Sequence, residues 1–429
     1  MERCRIVHPT NPLEQLDDGL AVFFRGPRSF TTEDVVELHL HSGRAIISSV
    51  LGALSQLSYC RPAEAGEFTR RAFLGGRMDL TQVEGLKDLI NAETEGQRRI
   101  ALRAAGGTAR AQFDELRTGI IGCLANVEAL IDFGEGEDIE EGVYDQARSR
   151  AQALLCTIEK HLNDDRRGEI IRSGVRLAIF GPPNAGKSSL LNFLAQREAA
   201  IVTPVPGTTR DILELSLDIG GLPVIVADTA GLRKTDDVVE SIGIERAKNA
   251  VRGADVSLCV LALPDVLPSP SGNMDASSLH IPEEMAELIT QDTMFLLNKS
   301  DLSSTHTCTA ALALSYSQGH TAWAASLGTG EGTGAFLAGF ARALHHRFNL
   351  RDGEAEQERE VPLITHARHR VHLESARRFL QAFLDTPACD VVLGAEELRY
   401  AAQAVGKISG LIDVEHVLDA VFRDFCIGK

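Results

Sequence analysis

The chain has 429 residues, of which 44% are hydrophobic, and a formal net charge of -17 at pH 7. This length is roughly two to three times that of a usual domain, so several separate cores are expected. No run approaches the roughly 18 uninterrupted apolar residues of a membrane-spanning helix, which favours a soluble protein. The acidic balance argues against non-specific coating of nucleic acid, because such binding relies on Lys and Arg at the phosphates.

Cysteines and basic residues are scattered along the chain. The eight cysteines show no C-x-x-C pair, so neither a zinc site nor a disulfide framework is indicated, and a reducing compartment fits best. The first residues lack an apolar signal core and give no targeting information. Any contact with RNA must use local arginine pairs, although each pair is more simply a solvated helix face. These pairs are Arg70 and Arg71, Arg98 and Arg99, Arg166 and Arg167, Arg368 and Arg370, and Arg377 and Arg378.

The first part of the chain contains short strands and turns, followed by long helices. Alternation predicts strands over Leu20–Phe24 and Val35–His39, and helical spacing predicts a helix over Arg44–Leu57. Apolar residues then recur at helical spacing, without proline, over Gln97–Asp132 and Tyr144–Arg167. Two long helices are therefore expected there.

From residue 175 onward, short β-rich runs alternate with helical stretches, the pattern of a mostly parallel sheet covered on both faces. The runs are Val175–Phe180, Pro223–Ala227, Val256–Leu263, Met294–Leu297 and Thr321–Ala325. Residues 264–283 are rich in proline and are typical of a surface excursion. After a polar linker, helices are expected over Ile364–Leu384, Ala395–Lys407 and Val414–Phe422. The helical blocks on the two sides are expected to pack on each other, since neither alone buries its apolar faces.

A glycine-rich run follows the first of these strands and opens a helix, which is the context of a phosphate-binding loop. Its glycines let backbone N–H groups surround a β-phosphate, Lys187 supplies positive charge to the β- and γ-phosphates, and Ser188 can ligate Mg2+. A chance glycine-rich turn would share the pattern, but the motifs that follow in order make that alternative remote. The run is Gly181, Pro182, Pro183, Asn184, Ala185, Gly186, Lys187, Ser188 and Ser189.

Three further motifs follow later strands. Asp228-Thr229-Ala230-Gly231 would hold the metal through its carboxylate and sense the γ-phosphate through the glycine N–H. In Asn298-Lys299-Ser300-Asp301, the Asp301 carboxylate can accept from N1–H and N2–H2 of guanine. Adenine lacks this donor pair, so GTP is expected to be preferred over ATP. A backbone N–H of Ser326-Leu327-Gly328 is placed to reach guanine O6.

A loop with the properties of a nucleotide-sensing switch lies between the phosphate loop and Asp228. It runs from Thr203 to Asp211, and one of its threonine hydroxyls is expected to reach Mg2+ when the γ-phosphate is present. Small signalling GTPases place a water-orienting glutamine after the Asp-x-x-Gly glycine, whereas this chain has Leu232. Another group must position the water. Arg233 and Glu240 are nearby in sequence, and a cation or a partner surface would stabilise the developing charge.

Together these motifs resemble the tRNA modification GTPase family called MnmE or TrmE, including its mitochondrial members, from about Leu16 to Lys429. Further matching segments are Gly26–Asp34, Glu64–Phe73, Leu80–Ile90, Ile131–Phe133 and the ending Phe425–Lys429. The resemblance implies an α/β P-loop GTPase domain with a mixed, mostly parallel sheet, inserted in an α-helical domain and preceded by a partial α+β N-terminal domain. We expect an N-terminal folate-binding and dimerisation domain over 1–76, helical segments over 77–171 and 346–429, and the GTPase domain over 172–345.

The resemblance also implies an activity and partners. The protein would act with an FAD-binding, MnmG-like subunit to modify C5 of the wobble uridine of tRNAs, by an aminomethyl or taurinomethyl type of chemistry. A tetrahydrofolate derivative would donate the carbon, and GTP hydrolysis would gate the reaction. The GTPase domains of a homodimer would pair in the GTP state, and K+ would take the position of an arginine finger. Mitochondrial members imply the mitochondrial matrix; a bacterial source or a genuine short start would imply the cytoplasm.

Site residues carry over from the family by position. Asn184 matches the asparagine that holds K+, and the loop ligands of K+ are Thr203, Val205 and Thr208. Thr209 matches the second Mg2+ ligand beside Ser188, and Glu240 matches the water-orienting glutamate. The residues expected to act in catalysis are Glu240, Lys187 and Thr209.

Folate contacts carry over through Glu37 and Lys429, and Arg77 stands where the family commonly has lysine. The family begins with a further segment that helps to build the folate pocket, so we expect Met1 to mark an isoform or an incomplete gene model. Cys426 matches a cysteine near the folate site, and a buried small hydrophobe is the alternative.

The main hypothesis is a GTPase subunit of a wobble-uridine modifying complex. The alternative from another class is a ribosome-assembly or regulatory GTPase that acts as a binding switch without modification chemistry. Such proteins usually append a basic RNA-binding domain, which the acidic balance here does not offer. A third possibility is a shortened form that binds GTP without modifying tRNA.

Overall fold

The computed structural model describes residues 2–133, 142–164, 166–197, 215–226, 248–266, 281–317, 319–348, 362–412 and 422. The chain forms two compact units. Unit 1 comprises Met1–Ile90, Leu102–Ile158 and Val371–Lys429, and unit 2 comprises Asn91–Ala101 and Glu159–Arg370. Unit 2 contains the whole segment 172–345 predicted as the GTPase domain, together with flanking residues and Asn91–Ala101.

Three strands and seven helices with complete bounds precede the phosphate-loop region among the described residues. In chain order they are β1 (Glu2–His8), β2 (Asn11–Phe24), β3 (Val35–His39), α1 (Arg44–Ser55), α2 (Glu67–Leu74), α3 (Leu80–Ile90), α4 (Glu95–Ala105), α5 (Thr108–Phe133), α6 (Val143–Leu162) and α7 (Arg167–Ser173).

The elements with complete bounds in the rest of the described chain alternate between strands and helices and end in two long helices. They are β4 (Val175–Phe180), α8 (Lys187–Arg197), β5 (Leu215–Ile219), β6 (Leu222–Val226), β7 (Val256–Ala262), α9 (Leu263–Val266), α10 (Glu283–Ala286), β8 (Thr293–Asn298), α11 (Thr305–Ser317), β9 (Ala322–Ala324), α12 (Thr333–Arg347), α13 (Ala367–Asp385) and α14 (Val391–Ser409). None of the described helices is both long and apolar enough to span a bilayer.

Unit 1 combines a small sheet with long packed helices. Its three strands are antiparallel in the order β1-β2-β3. Helix α5 packs along α14, and Arg148 of α6 donates to the carbonyl oxygens of Leu384 and Thr386 at the end of α13. The helical segments on the two sides of the α/β region therefore pack on each other, as the sequence predicts. Both helices bury apolar side chains, among them Ile120 and Val127 of α5 and Leu398 and Val405 of α14.

The single helix predicted over Gln97–Asp132 is wrong: the structure has two helices, α4 and α5. They separate at Gly106 and Gly107, and Gly107 has a φ of +88°. A residue with this φ cannot continue a right-handed helix, and glycine adopts it without steric cost. The other predicted helices in the described residues are present, with ends shifted by a few residues.

Unit 2 is built on a six-stranded sheet in the order β5-β6-β4-β7-β8-β9. All neighbouring strands are parallel except β5, which pairs with β6 in the antiparallel sense at the edge. This confirms the predicted mixed, mostly parallel sheet. The five predicted strands are β4, β6, β7, β8 and β9; the sequence analysis missed β5, in which Ser216 and Asp218 interrupt the apolar run.

Alternate residues of the central strands enter two separate apolar cores on the two faces of the sheet. In β7, Leu258 and Val260 belong to one core, whereas Cys259 and Leu261 belong to the other. This period of two is expected for a strand that is buried on both sides. Of the predicted excursion 264–283, the described residues form α9 and the start of α10.

We predict that Gly107→Ala lowers the free energy of unfolding by about 1 kcal/mol, because an L-residue is strained at a positive φ. Urea unfolding followed by circular dichroism measures the effect. Gly52→Ala is the matched control: Gly52 lies within α1, where an added Cβ meets no atom within 4 Å. Alanine should be neutral or stabilising there. Equal destabilisation by both changes would contradict the role assigned to the φ of Gly107.

Candidate nucleotide site

The predicted nucleotide motifs that the structure describes lie at one edge of the six-stranded sheet. The phosphate loop follows the carboxyl end of β4, Asn298 is the last residue of β8, and Ser326 follows β9. Since β4, β7, β8 and β9 are parallel and adjacent in that order, their carboxyl ends lie at the same edge. The sheet therefore brings together segments that are more than a hundred positions apart in the sequence.

Two glycines give the phosphate loop its close packing. Gly181 has a φ of +147°, and a Cβ added to it would lie 2.1 Å from the carbonyl oxygen of Val260. Gly186 has a φ of +105°, and its added Cβ would lie 2.0 Å from Nδ2 of Asn298. Asn184 also has a positive φ, of +58°. No side chain larger than that of glycine fits at 181 or 186 without moving backbone or the asparagine.

Lys187 is the first residue of α8, and its side chain turns back over the loop. Its Nζ donates to the carbonyl oxygens of Gly181 at 2.9 Å and of Pro182 at 2.8 Å. Burial lowers the pKa of this amine, because desolvation penalises its charged form. An anion beside Lys187 would counter that penalty, so the position favours a phosphate.

Cys259 of β7 lies close enough to Lys187 for the two to interact electrostatically. Burial raises the pKa of the Cys259 thiol to about 12, and the neighbouring Lys187 offsets only part of this effect. The thiol therefore stays protonated and neutral below that pH. A neutral thiol does not form an ion pair with Lys187, so the positive charge of the lysine remains available to a phosphate.

The side chain of Asn298 joins two parts of the site. It is 4% exposed; its Nδ2 donates to the carbonyl oxygen of Ala185 at 2.8 Å, and its Oδ1 accepts from the backbone N–H of Leu327 at 3.1 Å. One carboxamide thus ties the phosphate loop to the segment predicted to meet guanine O6. The bond to Ala185 is buried and the bond from Leu327 is partly buried, so loss of the carboxamide would leave a shielded acceptor and a shielded donor unpaired.

The turn after Asn298 presents Asp301. Lys299 has a φ of +64°, and Ser300–Leu302 forms a short 3-10 helix in which Asp301 is exposed. The N–H of Ser300 donates to the carbonyl oxygen of Ala325 at 3.2 Å, which holds this turn beside the loop after β9. The turn that carries Asp301 and the loop of Ser326 and Leu327 therefore both lie beside Asn298.

The described residues fit a nucleoside triphosphate with Mg2+. The N-terminus of α8 directs backbone N–H groups toward the phosphate loop, and Lys187 adds positive charge. Ser188 lies in the first turn of that helix, where a hydroxyl can serve as a Mg2+ ligand. Ser189 is exposed on the same turn.

Many predicted site residues lie outside the described residues. They are Thr203, Val205, Thr208, Thr209, Asp228, Thr229, Ala230, Gly231, Leu232, Arg233, Glu240, Cys426 and Lys429. Two of the predicted folate contacts are described, Glu37 in β3 and Arg77 after α2, and both are exposed. Glu37 lies 3.3 Å from Nε2 of His39 in the same strand.

Comparison with known proteins gives matches over nearly the whole chain. The family model of the MnmE helical domain matches residues 80–426, and that of the GTP-binding protein TrmE N-terminus matches residues 1–77. The chain belongs to the MnmE/TrmE family. This confirms the resemblance drawn from the sequence motifs and the fold class that it implies.

Individual relatives of this family member come from vertebrates and bacteria. The chain is 45% identical to the mitochondrial 5-taurinomethyluridine-[tRNA] synthase subunit GTPB3 of Danio rerio, over 99% of this chain and 84% of the relative. It is 44% identical to the tRNA modification GTPase MnmE of Paramagnetospirillum magneticum, over 97% of this chain and 88% of the relative. The human mitochondrial GTPB3 subunit is 42% identical over 97% of this chain and 82% of the relative.

Sequence reasoning missed two contributors to the site of this MnmE/TrmE family member. Cys259 lies within a continuous apolar run and carries no local signal of its proximity to Lys187. The link from Asn298 to Ala185 and Leu327 was also missed, although an asparagine at the end of an apolar strand is itself a signal. A short amide that follows a buried strand must find partners at the sheet edge.

We predict that Asn298→Ala weakens GDP binding at least about tenfold, because each unpaired buried group costs roughly 1–3 kcal/mol. Titration with a fluorescent GDP analogue measures the change. Ser300→Ala is the control, since the contact of Ser300 with Ala325 uses the backbone N–H. Wild-type affinity in Asn298→Ala would contradict the bridging role of the carboxamide.

Proposed function

We propose that this MnmE/TrmE family member binds and hydrolyses GTP as a subunit of a complex that modifies C5 of the wobble uridine of tRNAs. The observation that carries the GTPase part is the joining of the phosphate loop, Asn298 and the Leu327 loop at one sheet edge. Family membership and relatives named tRNA modification GTPase and taurinomethyluridine synthase subunit support the tRNA part.

Guanine selection is assigned to Asp301. The carboxylate lies in the turn held beside the loop after β9, and it would accept from the two donors at N1 and N2 of guanine. The N–H of Leu327 is already bonded to Asn298, which makes another backbone N–H of that loop the donor to guanine O6.

We predict that Asp301→Asn weakens GTP binding and improves binding of xanthosine triphosphate, in which an acceptor replaces the amino group at C2. The base preference should shift by about tenfold or more, since an unpaired polar group in the site discriminates strongly. Competition between the two nucleotides for the protein measures the ratio. An unchanged preference would remove the guanine assignment of Asp301.

Mg2+ and K+ are proposed at the phosphates. Mg2+ would be held by Ser188 and Thr209, and K+ by Asn184 with Thr203, Val205 and Thr208. Asn184 is exposed on the loop and has a positive φ, which is consistent with a side chain that faces a ligand. A cation at this place would stabilise negative charge that develops during hydrolysis, and Glu240 would orient the water.

We predict that GTP turnover is at least about tenfold faster in K+ than in Na+, the scale of a single electrostatic stabiliser of the transition state. Phosphate release from the full chain, at equal ionic strength, measures the rates. In Asn184→Ala the advantage of K+ should vanish while binding of GDP persists. Equal rates in the two cations would rule out the assistance assigned to K+.

The proposed partners are tRNA, an FAD-binding subunit of the MnmG type and a second copy of this chain. An apolar surface on the sheet of unit 1 supports the homodimer. Phe23 and Val36 are cross-strand partners, 60% and 61% exposed, and paired exposed apolar side chains mark surfaces that another protein covers. Pairing of GTPase domains in the GTP state and the domain layout 1–76, 77–171, 172–345 and 346–429 are part of the same proposal.

A tetrahydrofolate derivative is proposed as the carbon donor, bound through Glu37, Arg77 and Lys429, with Cys426 nearby. The exposure of Glu37 and Arg77 leaves both accessible to a ligand. The mitochondrial matrix is the proposed location, supported by mitochondrial relatives in Danio rerio, rat, mouse and human.

We predict that tRNAs from cells without this gene lack a C5 modification at the wobble uridine. Loss should follow because the GTPase subunit gates the chemistry. Mass spectrometry of wobble nucleosides from mitochondrial and cytoplasmic tRNA measures the modification and its compartment. A complemented strain with the Asp301→Asn chain is the matched control for nucleotide dependence. Normal modification in the deletion strain would reject this pathway and favour a binding switch.

A further inference from the structure

The β5–β6 hairpin connects the two segments that carry the predicted Mg2+ residues. Thr209 precedes Leu215, the first residue of β5, and Asp228 follows Val226, the last residue of β6. Leu215 and Val226 are cross-strand partners, so both ends of the hairpin lie at the nucleotide edge of the sheet. The hairpin therefore has both of its open ends at that edge.

A tight turn connects β5 to β6 at the end of the hairpin that lies away from the nucleotide edge. Ile219 pairs with Leu222, and Gly220 and Gly221 between them have φ values of +63° and +85°. Two positive φ angles in a two-residue loop are the features of a type I′ turn, which suits the twist of paired strands. Asp218 accepts from the N–H of Gly221 at 2.7 Å and supports the turn.

A segment from far earlier in the chain, residues 93–97, lies against this hairpin within unit 2. The carboxylate of Glu93 accepts from Oγ of Ser216 at 2.5 Å. Ser216 pairs with Ile225, one residue pair in from the nucleotide end of the hairpin. Because β5 is the edge strand, β6 is its only neighbour in the sheet, and Glu93 adds a contact from outside the sheet.

The same segment also contacts the tip of the hairpin. A Cβ added to Gly96 would lie 2.7 Å from the carbonyl oxygen of Gly221, so the helix and the turn approach as closely as glycine permits. On α12, His345 contacts the carbonyl oxygen of Gly220 at 2.9 Å through Nε2. The hairpin is thus held near both of its ends.

The holding segment is itself anchored. Thr94 and Gln97 form a capping box at the start of α4: the N–H of Gln97 donates to Thr94 Oγ1, and Gln97 Oε1 accepts from the N–H of Thr94. Gln97 Nε2 donates to the carbonyl oxygen of Arg172 at 3.0 Å, and Ile100 packs on the core of the sheet. A segment fixed in this way can hold the hairpin in one position.

We propose that Glu93 and Gly96 are positioning residues for GTP hydrolysis, which hold the β5–β6 hairpin so that Leu215 and Val226 keep their places at the nucleotide edge of the sheet. This inference rests on the proposed GTPase function. Both residues contact the hairpin, which the predicted Mg2+ residues Thr209 and Asp228 flank in the sequence. The phosphate loop, Asn298 and Asp301 lie on other elements, so nucleotide binding does not depend on Glu93 or Gly96.

The test compares turnover with binding in the full chain. Glu93→Ala, Ser216→Ala and Gly96→Val should each lower kcat for GTP about fivefold, the scale of a small displacement of positioning groups. The Kd for GDP should stay within about twofold of wild type, because its contacts are intact. Glu93→Gln, which keeps an oxygen acceptor for Ser216, should recover part of the rate. Glu93→Ala and Ser216→Ala should be non-additive, since they remove one contact.

Glu95→Gln is the matched control in the same helix. Glu95 pairs with Arg98 and Arg99 on α4 and should leave kcat unchanged. Wild-type kcat in Glu93→Ala and Ser216→Ala would overturn the inference, and so would a loss of GDP affinity that parallels the loss of rate. If the wild-type chain itself shows no GTP turnover, the proposed function fails and this inference fails with it.

Discussion

The carboxamide of Asn298 is the contact on which the nucleotide site depends. It is buried, and it bonds one loop through Ala185 and another through Leu327. Because the added Cβ of Gly186 would lie 2.0 Å from this amide, the phosphate loop can take its observed path only with glycine at 186. The same side chain also holds the loop of Ser326 and Leu327. The positions of the two loops are therefore coupled through one residue.

The surroundings of Lys187 show why the site favours an anion. The amine is partly desolvated, which lowers its pKa. Its two carbonyl partners accept hydrogen bonds but carry no negative charge that would balance the ammonium group. A phosphate would return the charge interaction that burial removes. The thiol of Cys259 is neutral and leaves the charge of Lys187 unbalanced, whereas a thiolate there would neutralise the lysine.

Much of the fold could be predicted from sequence because the strong signals are local. The runs that form β7 and β8 are mostly apolar and fully buried, so their composition alone marks them as strands. Strand β5 was missed because an edge strand exposes one face and carries polar Ser216 and Asp218 there. The break at Gly107 was missed because helical periodicity continues across it, and only its φ ends the helix.

Site residues could be predicted where they belong to a local sequence motif. They could not be predicted where they meet only through the packing of distant segments. The motifs around Lys187 and Asp301 can be recognised by the spacing of their residues. In contrast, nothing in the sequence near Glu93 indicates its contact with Ser216. Ser216 also lies in β5, the strand that the sequence analysis missed. Contacts between segments far apart in sequence depend on how helices pack, and periodicity of one segment cannot show its partner.

Hydrogen bonds join the residues that precede the GTPase segment to the residues that follow it. Arg370, at the start of α13, donates to the carbonyl oxygen of Leu162 and to the carboxylates of Asp164 and Glu169. Arg172 of α7 donates to the carbonyl oxygen of Thr365 at 2.8 Å. The arriving and departing segments are thereby bonded to each other inside unit 2. Two segments that are bonded to each other have less conformational freedom than two separate linkers, so these bonds restrict the residues on both sides of the GTPase segment.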